Sequence, residues 1–231
     1  KYRQKRMTEG LQRMENAEYQ AAIKIFTELL PHDPSSVQIP YQLGLAYLAL
    51  GDPASSVNYF TRAVEKDPGF AEGYNNRGTA YFALEKNDLA KEDYSKAIGL
   101  RSEFAEAYYN RGNVCFSGSD YEGAIQDYGA AVRIAPRMAE AYNNRGTVHR
   151  LLGKNDLAKG DFTRAIESNP KYVLAFANRA AVNKRLGKIK DAIRDYTHAL
   201  NHEPGDIPLT IARGVARRLS VDYTAAIEDF T

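Results

Sequence analysis

The sequence predicts an all-α protein built from a repeated pair of helices. Three observations predict this fold class: a period of 34 residues, two apolar stretches at helical spacing in each period, and turn residues between those stretches. The phrases at 74–78, 108–112 and 142–146 read YNNRG, YYNRG and YNNRG. Self-similarity at one fixed period of this length is typical of stacked-repeat proteins.

The same register continues in both directions without an insertion. It divides the chain into seven units, which begin at Arg3, Val37, Ala71, Ala105, Ala139, Val173 and Ile207. With positions 1 to 34 counted inside each unit, position 24 is always aromatic: Phe26, Phe60, Tyr94, Tyr128, Phe162, Tyr196 and Phe230. We therefore expect a single repeat domain over 3–231 with an incomplete last unit, and residues 1–2 as the end of an upstream segment.

Each unit is predicted to contain two helices. Positions 4, 7, 8 and 11 form one stripe, and positions 20, 24, 27 and 28 form another, both with the spacing of an α-helix face. Small residues at positions 8 and 20 let the two backbones approach, and the aromatic side chain at 24 fills the remaining space. Gly51, Gly153 and Gly187 at position 15 favour a left-handed cap after the first helix.

This pattern resembles the tetratricopeptide repeat family, and the resemblance covers essentially the whole chain. It implies antiparallel helix pairs that stack into a right-handed superhelix, an α-α solenoid whose concave groove is lined by the first helix of each pair. The departures lie at the ends, because the usually aromatic position 4 is Arg6, Pro40 and Thr210 in the first, second and last units. Since terminal repeats are often atypical, we expect those units to deviate from the rest.

Five arginines stand in a periodic row at position 7: Arg77, Arg111, Arg145, Arg179 and Arg213. Regularly spaced cations are one way to follow a phosphate backbone. However, position 23 of the same five units is Asp93, Asp127, Asp161, Asp195 and Asp229, and in the first two units both charges are missing together. This joint occurrence favours an Arg–Asp bridge between the two helices of each unit.

Asparagines form a second row on the surface that the resemblance assigns to the groove. Position 6 is Asn76, Asn110, Asn144 and Asn178, and position 5 adds Asn75, Tyr109 and Asn143. An asparagine amide is both donor and acceptor, so such a row suits an extended peptide backbone of any sequence. The alternative is that these amides cap or bridge neighbouring helices.

Position 12 changes character along the chain. It is apolar at Phe82 and Phe116 but basic at Arg150, Lys184 and Arg218, with Arg185 beside Lys184 and Arg217 at position 11. We therefore expect apolar anchors toward the first four repeats and a subsite for an acidic partner residue toward the last three. The alternative is that the cations complement the helix macrodipole.

Composition and residue patterns argue against other classes of function. The formal net charge of +2 is too small to indicate nucleic-acid binding, and no apolar run approaches the roughly 18 residues of a membrane span. Cys115 and His149 share position 11, where packing is favoured over a nucleophile–base pair. His198 and His202 stand four residues apart, which favours a solvated surface over a metal site. We predict no catalytic centre, metal or cofactor, and no nucleic-acid partner.

The sequence therefore predicts a protein–protein interaction scaffold or adaptor that binds an extended peptide segment in the concave groove and is not an enzyme. Two alternatives remain open. In the first alternative, the chain associates with itself through its terminal repeats, because an incomplete last unit exposes an apolar helix face. In the second alternative, the chain is the targeting or substrate-recognition region of a larger enzyme.

Overall fold

The computed structural model describes residues 2–230, where all regular structure is helical, as the sequence predicts. The first helices of the successive pairs are α1 (Tyr2–Glu15), α3 (Gln38–Ala49), α5 (Ala71–Ala83), α7 (Ala105–Ser117), α9 (Ala139–Leu151), α11 (Val173–Arg185) and α13 (Ile207–Leu219). The second helices are α2 (Tyr19–Leu29), α4 (Pro53–Lys66), α6 (Asn87–Leu100), α8 (Tyr121–Ile134), α10 (Asn155–Ser168), α12 (Ile189–His202) and α14 (Tyr223–Phe230). A short 3-10 turn, Leu30–His32, follows α2. From the third repeat onward each first helix begins on the residue where the sequence register places it.

Residue contacts divide the chain into two compact units. Unit 1 is Lys1–Gly118 and contains α1 to α7, and unit 2 is Ser119–Thr231 and contains α8 to α14. Within each unit every helix packs against the next one along the chain. The single domain over 3–231 that the sequence predicts stays a prediction.

Position 15 turns the chain between the two helices of every repeat. Gly51, Gly153 and Gly187 have φ values of 75°, 72° and 73°, which confirms the predicted left-handed caps. The other four repeats reach the same left-handed region with Ala17, Glu85, Ser119 and Val221. A β-branched side chain such as that of Val221 is a rare occupant of this region, because its Cβ substituents crowd the backbone.

The two helices of a hairpin pack through a glycine and an aromatic ring. A Cβ atom at Gly44 would lie 2.6 Å from the ring of Phe60, and one at Gly146 would lie 2.8 Å from the ring of Phe162. Both rings are fully buried. The close approach of the aromatic side chain at position 24 thus requires a small residue at position 8, which is glycine in these hairpins and Ala180 in the sixth repeat.

The predicted Arg–Asp bridges are confirmed in four repeats, each as a two-point contact between a guanidinium and a carboxylate. Arg77 donates from Nε and Nη2 to the two oxygens of Asp93 at 2.7 Å each. The same contact joins Arg145 to Asp161, Arg179 to Asp195 and Arg213 to Asp229. The hydrogen bonds to Asp93 raise the pKa of Arg77 further above its usual value. Arg111 and Asp127 belong to different units, and their pairing stays a prediction.

The position-7 arginine also reaches the preceding repeat, a contact that was not predicted. Nη1 of Arg77, Arg111 and Arg179 donates to the hydroxyl at position 25 of the repeat before it, at distances of 3.3, 3.0 and 3.2 Å from Thr61, Ser95 and Thr163, respectively. Arg77 and Arg179 therefore each join their own two helices and link them to the previous hairpin. Arg145 has no such hydroxyl, because position 25 before it is Gly129, where an added Cβ would lie 3.6 Å from Arg145 Nη1.

Polar side chains at position 11 extend the pairs of unit 2. Asn183 Nδ2 donates to Asp195 at 3.1 Å, Arg217 Nη1 lies 3.0 Å from Asp229, and His149 Nε2 lies 3.7 Å from Asp161. Arg217, which the sequence assigns to the basic end of the groove, is thus turned toward a buried carboxylate instead.

The Arg145→Ala variant is expected to lose about 3 kcal/mol of the free energy of unfolding, because it leaves the buried carboxylate of Asp161 unpaired. The matched control is Arg164→Ala, which breaks an exposed pair with Glu167 in the same repeat and should cost less than about 1 kcal/mol. Urea unfolding of the three proteins measures both values. Equal midpoints for the two variants would contradict a buried, stabilising pair.

The Gly129→Ser variant is expected to be more stable than the parent, because it supplies the missing hydroxyl to Arg145 and removes a glycine from the interior of α8. Gly129→Ala provides only the second effect. At Gly160 an added Cβ meets nothing within 4 Å. There the alanine variant should be more stable than the serine variant by about 0.5 kcal/mol, the difference in their intrinsic helix propensity. In thermal unfolding, the Tm of Gly129→Ser should therefore equal or exceed that of Gly129→Ala, whereas the Tm of Gly160→Ser should lie below that of Gly160→Ala. The same order of Tm values at both residues would disprove the contact with Arg145.

The stability of unit 2 is expected to depend on pH through His149. Burial lowers the pKa of its imidazole, Arg145 and Lys154 lower it further, and Asp161 opposes the shift. Because the folded state binds the proton less readily than the unfolded chain, stability is lost as pH falls below about 6.5. A His149→Asn variant mimics Asn183 of the next repeat, and its Tm should fall less than that of the parent between about pH 7.5 and 5.5. Parallel losses in the two proteins would rule out this effect.

Candidate functional site

A chain of side-chain hydrogen bonds crosses three repeats of unit 1. Asn110 Nδ2 donates to Asn75 Oδ1 at 3.1 Å, and Asn75 Nδ2 donates to Asn76 Oδ1 at 3.3 Å. Asn76 Nδ2 in turn donates to the Tyr41 hydroxyl at 2.8 Å. Burial raises the pKa of Tyr41, so this hydroxyl keeps its proton over the neutral range. The amides at positions 5 and 6 thus form one connected row together with a tyrosine that sequence reasoning did not include.

Unit 2 repeats this arrangement. Asn178 Nδ2 donates to Asn143 Oδ1 at 3.0 Å, and Asn143 Nδ2 donates to Asn144 Oδ1 at 3.3 Å. In both units the position-5 asparagine is the buried link, since only 7% of Asn75 and 2% of Asn143 is exposed. These two residues, expected from the sequence to line the groove, lie beneath the row and orient it.

The position-6 asparagines are half-buried and keep part of their hydrogen-bonding capacity. In Asn76, Asn110 and Asn178, the Nδ2 atom donates a hydrogen bond to the preceding repeat. For this half of each amide, the alternative that the asparagines bridge neighbouring helices is correct. Among residues 2–230, Oδ1 of Asn110 and of Asn178 receives no hydrogen bond, so each offers an acceptor held at a fixed orientation. Peptide binding by these residues stays a prediction.

The three aromatic residues predicted for the groove are all half-buried in unit 1: Tyr109, Phe82 and Phe116. Phe82 packs on the cluster formed by Ala90, Tyr94 and Val114, so one face of its ring belongs to the core. All three side chains keep part of their surface exposed, and their use as apolar anchors stays a prediction.

The four cations predicted for an acidic subsite all lie in unit 2. Arg150 and Lys184 are half-buried, and Arg185 and Arg218 are exposed. Within the described part of the chain none of the four forms a salt bridge, whereas the position-7 arginines of the same repeats are fully paired. The Nε atom of Arg150 is buried and has no hydrogen-bond partner among these residues. The arrangement is an uncompensated positive surface.

Exposed apolar side chains also surround the last hairpin. Ile207, Ile211 and Phe230 line a cavity of about 560 Å³ between α13 and α14, and Ile227 is exposed nearby. This is the face on which the self-association alternative depends.

Residues 2–230 contain no cluster of three or more His, Cys, Asp or Glu side chains with metal-binding geometry. The rings of His198 and His202 stack with centroids 5.6 Å apart, and His198 also stacks on Phe176 at 4.3 Å. In the same range, every helix is too short or too polar to cross a bilayer.

Solved structures with a similar fold are numerous. The structure of MamA is 28% identical in sequence, with 70% of this chain and 95% of that chain covered at a TM-score of 0.65. PilF of Pseudomonas aeruginosa is 21% identical, with coverages of 85% and 89% and a TM-score of 0.76. YrrB, described as a TPR protein with an unusual peptide-binding site, is 20% identical, with coverages of 80% and 95% and a TM-score of 0.63.

Sequence comparison points to the same conclusion, although no curated protein gives a significant match. Family models described as TPR repeat match 78–117 and 112–153, and models described as tetratricopeptide repeat match 7–71 and 139–172. These ranges cover well over half of the sequence, and the range 139–172 coincides with the fifth 34-residue unit. The chain belongs to the tetratricopeptide repeat family.

Proposed function

We propose that the protein is a non-enzymatic adaptor that binds an extended segment of a partner protein through its amide rows and recognises an acidic part of that segment with unit 2. The observation that carries this proposal is the contrast between two sets of cations. The position-7 arginines are neutralised by buried aspartates, whereas Arg150, Lys184, Arg185 and Arg218 have no carboxylate partner among residues 2–230. Charges left uncompensated on one surface favour an oppositely charged ligand.

The amide rows supply affinity that does not depend on the partner's side chains. An extended backbone presents N–H groups at regular intervals, and the open Oδ1 atoms of Asn110 and Asn178 are acceptors for them. Because Asn75 and Asn143 already hold these amides from below, binding costs little side-chain entropy. The buried links act as positioning residues and the position-6 amides make the contact.

Apolar side chains of the partner find their counterpart in unit 1. Phe82, Tyr109 and Phe116 are half-buried, so each keeps part of an aromatic ring accessible for an anchor residue. Likeness in fold to YrrB, with its peptide-binding site, supports a peptide ligand in general terms.

The two alternatives that the sequence leaves open remain predictions. Self-association has the exposed face of Ile207, Ile211, Ile227 and Phe230 in its favour. A role as the recognition region of a larger enzyme is compatible with the same surfaces.

The charge preference is tested with two labelled twelve-residue peptides, one with leucine and phenylalanine followed by four glutamates, the other with lysines replacing the glutamates. The glutamate peptide should bind the parent protein more tightly in fluorescence anisotropy. An Arg150→Glu/Lys184→Glu variant should weaken it by about tenfold or more. The control, Lys24→Glu/Lys96→Glu, changes two exposed lysines of unit 1 and should leave the Kd unchanged. Equal binding of both peptides to the parent would refute the acidic preference.

The amide contribution is tested with the same peptides and an Asn110→Ala/Asn178→Ala variant. Both peptides should lose affinity to the same extent, by about fivefold for each hydrogen bond, because the contact is to the backbone. Asn58→Ala/Asn201→Ala removes two exposed amides from second helices and serves as the control. Unchanged affinity in a folded Asn110/Asn178 variant would exclude the row as a peptide-binding element.

A further inference from the structure

The turns between the first and second helices of a repeat change sign of charge along the chain. In repeats 1 to 3, positions 12 to 20 are residues 14–22, 48–56 and 82–90, which contain one basic and five acidic residues. In repeats 5 to 7 the same positions are residues 150–158, 184–192 and 218–226, which contain seven basic and three acidic residues. These last three segments, here named the basic edge, all belong to unit 2.

The segments of the basic edge lie side by side. Within unit 2, α9 packs on α10, α11 on α12 and α13 on α14, and each hairpin packs on the next in one register. Equivalent turns of in-register repeats share one edge of the stack. Between the turns of repeats 6 and 7 lies a cavity of about 460 Å³, whose lining includes Lys188, Ile189, Lys190, Asp191 and Leu219.

Several apolar side chains of the basic edge are exposed and not buried in the core. The exposed side chains are Leu151, Leu152 and Leu157 in repeat 5 and Leu219, Val221 and Tyr223 in repeat 7. Val221 is the most exposed of them, at 67%. It also has a φ of +67°, a conformation unfavourable for a β-branched residue and held by glycine in repeats 5 and 6. A valine at this position costs stability and adds a projecting apolar tip.

The lysines around these tips are uncompensated. Lys154, Lys188 and Lys190 are exposed, and none forms a salt bridge with a carboxylate of residues 2–230. Asp191, the acidic residue nearest to them in sequence, pairs with Arg194 on its own helix. The positive charge of the edge is therefore available to an external anion.

We propose that the basic edge is a docking surface for an anionic lipid bilayer. Projecting leucine, valine and tyrosine side chains enter the interfacial layer, while the lysines contact the headgroups above it. Lysine suits this place because its long apolar stem and terminal ammonium extend along the boundary between the two layers. An acidic protein is the less fitting occupant, because the exposed apolar residues of repeats 5 and 7 are separated by the turn of repeat 6, where Leu186 and Ile189 are half-buried, and so do not line one continuous groove. The basic edge also contains Arg150, Lys184, Arg185 and Arg218 of the proposed peptide site, but the vesicle tests change only Lys154, Lys188, Lys190 and Val221, so the two proposals fail separately.

The charge component is tested by sedimentation with phosphatidylcholine vesicles and with vesicles containing about one third phosphatidylserine. The parent should bind the second kind only, and less at high salt. Lys154→Glu/Lys188→Glu/Lys190→Glu should weaken binding by about fivefold or more per lysine, since each cation near such a surface contributes about 1 kcal/mol. The control, Lys5→Glu/Lys24→Glu/Lys96→Glu, makes the same charge change on exposed lysines of unit 1 and should bind as the parent does.

The apolar component is tested with Val221→Gly, which separates binding from folding. Glycine adopts the left-handed turn without strain, so the Tm should rise while vesicle binding falls. Absence of binding to anionic vesicles, equal binding to both kinds, or equal loss in the lysine variant and its control would each overturn the proposal. Binding of polyglutamate at the edge without binding of vesicles would overturn it in favour of an acidic protein partner.

Discussion

A period of 34 residues without insertion or deletion is the constraint on which the rest of the structure depends. Because these repeats have the same length, position 7 faces position 23 in repeats 3, 5, 6 and 7, and the position-6 amides of Asn76, Asn110 and Asn178 each bond the repeat before them. A single inserted residue would rotate a helix by about 100° and separate these partners. Function is then a matter of which residue type each repeat places at a fixed position.

The arginines of this protein fall into two groups with different roles. At position 7 the guanidinium is held by a buried carboxylate and, in three repeats, by a hydroxyl of the repeat before. At positions 12 and 13 of the last repeats it has no carboxylate to pair with in the described part of the chain. The first kind contributes to folding, and we propose that the second leaves a positive charge that an acidic ligand compensates.

The sequence was sufficient to predict the helices and the intrahairpin bridges. The Arg–Asp pairs were predictable because both charges are absent together in the first two repeats, so the chain carries its own covariation. Depth below the surface was not predictable: Asn75 and Asn76 are neighbours of the same type, yet one is buried and the other is half-exposed. A periodicity of 3.6 assigns a residue to a face but does not tell how far the next repeat covers it.

Contacts between successive repeats were missed for the same reason. Position 25 is threonine or serine in six of the seven repeats, a regularity that the pairing of positions 7 and 23 left unexplained. Arg217 was assigned to the groove because it adds to the basic residues at position 12, whereas it lies against Asp229 together with Arg213. Such three-member contacts depend on the exact rotation between hairpins. Pattern analysis considers residues two at a time and therefore leaves them out.

The most direct test of the central claim, that paired and unpaired positions have separate tasks, is a titration of isotope-labelled protein with the glutamate-rich peptide, followed by NMR of side-chain amides and guanidinium groups. The account predicts that the amide signals of Asn110 and Asn178 and the guanidinium signal of Arg150 shift, while those of Arg145 and Arg179 stay in place. Shifts at Arg145 and Arg179 with none at Arg150 would contradict it.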